Sequence, residues 1–141
     1  NGKNSELHAA MGLCLLPKVP DFISERKILF QQYRDRIGQS VAIMDAPASM
    51  EGLQWNYGYL PVLLKDTQEL NKLNDALAKE GIFARKYFAP SLNILPFYGK
   101  FHACPVSEYI ADRVLCLPFY VGMTMDEFDH IASAINSTLE S

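Results

Sequence analysis

The sequence has no excess of positive charge and no long apolar run. Thirteen Lys and Arg residues stand against sixteen Asp and Glu residues, which gives a formal net charge of −3. A balance of this sign gives no electrostatic reason to expect nucleic acid or an anionic membrane surface as a partner. The longest apolar stretches, such as "YLPVLL" and "VLCLPFYVGM", fall well short of the roughly 20 residues that a membrane-spanning helix needs. We therefore expect neither nucleic acid nor a membrane among the partners.

Cysteine is scarce, and its distribution argues against a disulfide framework. Cys14, Cys104 and Cys116 are an odd number of cysteines in apolar surroundings, which predicts buried thiols in a reducing, cytoplasmic compartment. His102 lies two residues before Cys104, but no second pair of ligands stands at the spacing of a zinc site. We expect no metal site.

The sequence also lacks the compact catalytic motifs that spacing alone can reveal. No glycine-rich phosphate loop follows a predicted strand, no serine or cysteine lies in a nucleophile elbow, and no histidine and acid are paired at helical spacing. We therefore expect no catalytic residue in this chain.

A core and a leading pair of helices are predicted from what the sequence does contain. Apolar residues make up 49% of the 141 residues, enough for one domain with a buried core. Their spacing predicts a helix over about residues 5–16 and a second helix that begins behind Pro20 and ends at Gly38 in a left-handed cap. Part of this pair is expected to pack on a body outside the chain, through Leu7, Met11, Phe22, Leu29 and Phe30.

Three more helices carry local start or stop signals. Asp66, with Glu69 three residues later, predicts the start of a helix that stops at Gly81. A short helix is expected over about residues 106–113. Thr124 and Glu127 form the pattern of a capping box and predict the start of the last helix.

Short segments between these helices read as strands. Residues 39–45, 55–65, 82–88 and 114–119 are rich in β-branched or aromatic residues, and Pro61 places its strand at an edge or a bulge. The order of elements predicts an α+β fold, in which a small, mostly antiparallel sheet has helices packed on one face and is preceded by the helical pair. We divide the chain into a pair at 1–38 and a small domain at 39–141.

The chain opens with "NGKNSE", for which two interpretations remain open. The amides at the start of the first helix, together with Lys3, could bind a phosphate. The same residues could instead be a frayed chain end with Asn4 or Ser5 as the helix cap.

The stretch "ARKYFAPSLNILPFY" at residues 84–98 also has two interpretations. It could form the polar rim of a sugar or nucleotide site, or it could be an edge strand followed by a packed loop. The polar residues that it brings together are Arg85, Tyr87, Ser91, Asn93 and Tyr98.

Three segments, taken in order, resemble the C-terminal third of the DegT/DnrJ/EryC1/StrS family of sugar aminotransferases. They are "NGKNSELHAAMGLCLLPKVPDFISERKILFQQYRDRI", "LNDALAKEGIFARKYFAPSLNILPFY" and "CPVSEYIADRVLCLPFYVGMTMDEFDHIASAI". The resemblance implies the C-terminal domain of a fold-type I aminotransferase that acts as a homodimer. It also implies pyridoxal phosphate held on a lysine as a Schiff base, and amino transfer from glutamate to a keto sugar on a nucleoside diphosphate. The segment "KYFAPSLNILPFY" is most like members that act on 4-keto-6-deoxyhexoses.

Residue roles follow only from this resemblance. Asn1 matches the family asparagine that reaches the cofactor phosphate of the other subunit, and Lys3 matches the basic residue beside it. Arg85, Tyr87 and Asn93 match the segment that borders the nucleotide-sugar pocket, although many members have a histidine where Asn93 stands. The Schiff-base lysine would precede Asn1, so the chain is expected to be an inactive C-terminal fragment. The alternative is a free-standing α+β ligand-binding or interaction module.

Overall fold

A computed structural model describes residues 4–45, 52–87, 89–98 and 102–140 of the chain. The helices are α1 (Glu6–Leu15), α2 (Val19–Ile37), α3 (Thr67–Lys79), α4 (Pro105–Ala111) and α5 (Met125–Leu139). The strands are β1 (Ala42–Ile43), β2 (Pro61–Leu63) and β3 (Val114–Cys116). Short 3-10 turns occupy Leu16–Lys18, Leu92–Ile94 and Pro96–Tyr98. The predicted α+β class is confirmed.

The sheet is small and antiparallel, with the strand order β1-β2-β3. Val62 of β2 lies opposite Leu115 of β3. On the other side of β3, the backbones of Arg85 and Cys116 exchange two hydrogen bonds of 2.8 Å each. The segment that carries Arg85 therefore lies along the free side of β3, although a single bridge replaces the strand predicted over 82–88.

The strands are shorter than the sequence predicts, and the position predicted for Pro61 is wrong. Pro61 begins β2, which is the middle strand and not an edge strand. Proline is tolerated as the first residue of a strand because its missing N–H then removes no interior bond of the ladder. Its carbonyl still accepts a hydrogen bond of 2.9 Å from the amide of Met44.

Helices α3 and α5 form the layer that covers the sheet. They contact each other, and α3 also contacts β3. The predicted apolar stripes face this core, as Leu70, Leu73, Leu77, Phe128, Ile131 and Ile135 are all buried. The start and stop signals of α3 hold as well, since the Asp66 side chain accepts a hydrogen bond from the Glu69 amide and Gly81 has a φ of +77°.

The second half of α2 belongs to the same core. Leu29, Phe30, Tyr33 and Ile37 are buried there, so the expectation that Leu29 and Phe30 would be partly uncovered is wrong. Gly38 is also not a left-handed cap. It keeps right-handed helical geometry, with a φ of −65°, and its amide donates to the carbonyl of Arg34. The division of the chain at residue 38 stays a prediction.

Helix α1 differs from the others because none of its residues is buried. Leu7 is 71% exposed and Met11 55% exposed, and apolar residues occupy every side of the helix. A helix that is apolar all round normally lies inside a larger structure. The exposure of Leu7 and Met11 therefore agrees with the expectation that part of the helical pair packs on a body outside the chain.

The capping box at α5 provides a test of local stability. The Thr124 hydroxyl accepts from the Glu127 amide at 3.3 Å, and the Glu127 carboxylate accepts from the Thr124 amide at 2.8 Å. Thr124→Ala removes one of these bonds and should lower the free energy of unfolding by about 1 kcal/mol. Urea titration measures this loss, with Ser24→Ala on the exposed side of α2 as a control that should not destabilise. An equal effect of both substitutions would contradict the role of the cap.

Candidate functional site

An open pocket of about 340 Å³ lies where the Arg85 segment meets β3. Aromatic residues make up half of its lining, and one guanidinium group lies among them. The side chains concerned are Tyr59, Phe83, Arg85, Tyr87, Phe119 and Tyr120. A cation among ring faces can attract an anionic group while the rings bind a flat or apolar one.

Arg85 is oriented by its neighbour two residues along the chain. In an extended segment residues i and i+2 point to the same side, and an Arg85 Nη atom donates to the Tyr87 hydroxyl at 2.7 Å. This hydrogen bond raises the pKa of Arg85 above its ordinary value, and a guanidinium is in any case charged at neutral pH. The Tyr87 ring in turn makes an edge contact with Tyr59, with 5.3 Å between ring centres.

A second, more apolar pocket of about 350 Å³ shares walls with the first. Tyr59, Tyr87 and Cys116 line both pockets. Ser107 and Ile110 of α4 form part of the second one. The two tyrosines therefore stand between a pocket with a cation and a pocket beside α4.

Asn93 does not line either of these two pockets. Its side-chain amide nitrogen donates to the Glu108 carboxylate at 2.7 Å and to the carbonyl of His102 at 2.8 Å. Its amide oxygen accepts from the Ser91 hydroxyl at 2.6 Å. The structure thus places Arg85 and Tyr87 together at a pocket. The side chain of Asn93 is instead hydrogen-bonded to other residues of the protein. Asn1 and Lys3 lie outside the described residues.

Several of these residues carry no local signal that would have assigned them to a site. Tyr59, Phe119 and Tyr120 reach the pocket through strand pairing between distant segments. Glu108 follows the proline that begins α4, which marks a helix start. Only the structure shows that the carboxylate of this helix start meets Asn93.

Two of the three thiols are not buried as predicted. Cys14 and Cys104 are exposed, and Cys116 is buried. Cys14 lies on the uncovered helix α1, and Cys104 immediately precedes α4 at the surface. Burial raises the pKa of the Cys116 thiol, which makes it a poor nucleophile.

Within the described part of the chain, no group of three or more His, Cys, Asp or Glu residues is placed to hold a metal ion. No helix in that part has both the length and the apolar character needed to cross a membrane. The described lysines are exposed without exception; they are Lys18, Lys27, Lys65, Lys72, Lys79 and Lys86.

Comparison with solved structures places this fold among aminotransferases. The chain superposes on the aminotransferase TlmJ from Streptoalloteichus hindustanus with a TM-score of 0.83 and 20% identity, over 94% of this chain and 36% of that one. It superposes on DesI, solved in the presence of its TDP-sugar product, with a TM-score of 0.77 and 28% identity, over 95% of this chain and 35% of that one.

Sequence comparison then identifies the family. The model of the DegT/DnrJ/EryC1/StrS aminotransferase family matches residues 1–136, and the chain belongs to that family. A dTDP-4-amino-4,6-dideoxy-D-glucose transaminase from Escherichia coli is 35% identical over 130 residues, which are 87% of this chain. The chain spans about a third of the length of this relative, 35%.

Proposed function

We propose that this chain is the C-terminal part of a pyridoxal-phosphate-dependent aminotransferase. The proposed enzyme moves an amino group from glutamate to a nucleotide-linked keto sugar, most simply a 4-keto-6-deoxyhexose. The family match over residues 1–136 carries this proposal. The sugar assignment is supported by the E. coli relative, whose name specifies a 4-amino-4,6-dideoxyglucose. A homodimeric state and a cytoplasmic location are part of the same proposal.

The pocket at Arg85 supplies the chemistry that a nucleotide sugar requires. The charged guanidinium suits the diphosphate, and the faces of Tyr59 and Tyr87 suit a base or a sugar ring. We propose that Arg85 and Tyr87 bind the substrate and that Asn93 belongs to the border of the same site. Asn1 and Lys3 are proposed to bind the cofactor phosphate, on the strength of the family pattern.

The described residues do not fit pyridoxal phosphate by themselves. The cofactor, when bound, supplies an electron sink for amino transfer, and it requires a lysine that is enclosed and partly unprotonated. The described lysines are exposed, so we derive no step of the reaction from them. The proposal assigns the cofactor lysine to a part of the protein that precedes this chain.

Arg85→Ala tests the pocket in the protein that carries this chain. Loss of the guanidinium should raise the KM for the nucleotide sugar by about tenfold or more, because a charge-assisted hydrogen bond contributes about 1.5–3 kcal/mol. The KM for glutamate should change much less. Arg36→Ala, which removes an exposed arginine of α2, is the matched control. Equal effects on both substrates would contradict the assignment of this pocket.

The alternative function is a free-standing ligand-binding or interaction module. The gene distinguishes the two proposals. A reading frame that continues upstream through a lysine-bearing domain supports the enzyme, and a start codon at the Asn1 loop supports the module.

A further inference from the structure

Three hydrogen bonds link four side chains into a circuit between the 91–93 turn and α4, and the peptide bond between Ser107 and Glu108 closes it. The Ser91 hydroxyl donates to the Asn93 amide oxygen at 2.6 Å and lies 2.6 Å from the Ser107 hydroxyl. A serine hydroxyl has only one proton, so Ser107 must donate to Ser91. The Asn93 amide nitrogen completes the circuit by donating to Glu108, the neighbour of Ser107 on α4.

The circuit also holds the backbone that leads into α4. The second proton on the Asn93 amide nitrogen goes to the carbonyl of His102 at 2.8 Å. The Glu108 carboxylate accepts a further hydrogen bond of 2.8 Å from the Cys104 amide. These two hydrogen bonds, the Cys104 amide first and the Asn93 side chain second, lower the pKa of Glu108, which keeps the carboxylate ionised and able only to accept.

Position 93 therefore has a demanding pattern of donors and acceptors. It must accept from Ser91 on one side and donate twice, to Glu108 and to the His102 carbonyl, on the other. A primary amide meets all three requirements with a single side chain. Ser91 is 3% exposed. If the side chain at position 93 could not accept from it, the Ser91 hydroxyl would lose a hydrogen bond that water could not easily replace.

We propose that Ser91, Asn93, Ser107 and Glu108 form a clamp that ties residue 93 to residue 102 and both to α4. In this clamp Asn93 is a positioning residue that acts on ligand binding through the placement of its loop. The clamp adjoins the pockets because Ser107 lines the apolar pocket together with Tyr59 and Tyr87. Its geometry stands by itself, and only its effect on a nucleotide sugar rests on the proposed function.

Limited digestion with chymotrypsin tests the clamp without any substrate. Phe97 lies in the turn that follows Asn93 and is 75% exposed, so cleavage after it reports on opening of the loop. Asn93→Asp is nearly isosteric, but it replaces both donated hydrogens and places a carboxylate against that of Glu108. Cleavage after Phe97, identified by mass spectrometry, should become about tenfold faster or more, as expected when bonds to a charged group are lost. Asn71→Asp on the exposed side of α3 makes the same charge change elsewhere and should leave the cleavage rate unchanged.

Rescue by a second substitution separates the clamp from a general loss of stability. Adding Glu108→Gln to Asn93→Asp replaces the facing carboxylate with a neutral amide and so removes the repulsion between two like charges, although a single Glu108 oxygen accepts from both Asn93 and the Cys104 amide. Cleavage in the double variant should fall part of the way back toward the wild-type rate, which is non-additive coupling between residues in direct contact. Equal cleavage of Asn93→Asp and Asn71→Asp, or no rescue in the double variant, would overturn the clamp.

If Asn93→Asp does not fold, amide hydrogen exchange in the wild-type chain tests the clamp instead. The Cys104 amide precedes α4 at the surface, and its partner is the Glu108 carboxylate. Exchange at this amide should be at least about tenfold slower than in an unstructured peptide. Exchange at the unstructured rate would overturn the proposal. Neither result depends on whether the protein is an aminotransferase.

Discussion

Leu115→Ala should lower the free energy of unfolding by about 3–5 kcal/mol, as is typical for a fully buried leucine whose cavity cannot collapse. Leu115 lies in β3, opposite Val62, and is 0% exposed. Its strand is held on one side by β2 and on the other by the Arg85 bridge. Backbone hydrogen bonds on both sides limit how far the chain can move to fill the space that the smaller side chain leaves.

A loss of this size is a large fraction of the total stability of a domain, which is about 5–15 kcal/mol. Urea titration of the far-ultraviolet circular dichroism signal measures it. The matched control is Ile28→Ala on α2, where the side chain is 60% exposed and the expected change is within about 0.5 kcal/mol. Both titrations belong at low protein concentration, because the apolar surface of α1 favours association. A small effect at Leu115 would show that the sheet is not a tightly packed part of the core.

The elements that local signals define were the most predictable part of the fold. Helices α3 and α5 have a cap at the start and an apolar stripe along one side, and both features lie within the helix itself. Asp66 and Thr124 accept the hydrogen bonds that their sequence patterns predict. Such signals need no knowledge of the rest of the chain.

Composition predicts longer strands than the structure contains, because the length of a strand is limited by the residues with which it can pair. Residues 55–65 have strand composition throughout, but the strand covers only Pro61–Leu63, and Leu60 and Leu64 add one backbone hydrogen bond each to the residues that flank β3. Because proline lacks an amide hydrogen, the sequence predicts an edge or a bulge for Pro61. Its place at the start of the middle strand satisfies the same requirement. Which strand lies in the middle is decided by distant segments, and this information is absent from the local pattern.

The residues of the site also divide into those that a local signal identifies and those that only distant segments bring into place. Arg85 and Tyr87 could be singled out because they stand two residues apart in one polar stretch, and the structure places both at a pocket. Tyr59 and Phe119, which line the same pocket, reach it through the sheet. The partners of Asn93 depend on how α4 packs, so the hydrogen bonds to Glu108 and His102 could not be predicted from composition or spacing.

The 141-residue chain by itself should not transaminate, even with an excess of pyridoxal phosphate, glutamate and a 4-keto-6-deoxy nucleotide sugar. Amino transfer depends on a lysine that is enclosed and at least partly unprotonated, and burial or a nearby cation is what lowers the pKa of an ammonium group that far. The described lysines are exposed, where a hydrated ammonium is the stable form. Lys3 and Lys100 lie outside the described residues, and the proposal assigns neither of them to the Schiff-base position.

Two measurements check this expectation together. Formation of 2-oxoglutarate should not rise above that of a sample without protein. Borohydride reduction after incubation with pyridoxal phosphate should label several exposed lysines weakly and without saturation, because each offers the same solvated amine, and peptide mapping shows where the label lies. The proposed full-length enzyme would provide the positive control, with one labelled lysine upstream of Asn1. Stoichiometric labelling of a single lysine within the 141 residues, accompanied by turnover, would show that the chain contains a complete active site and would refute the proposed division of the enzyme.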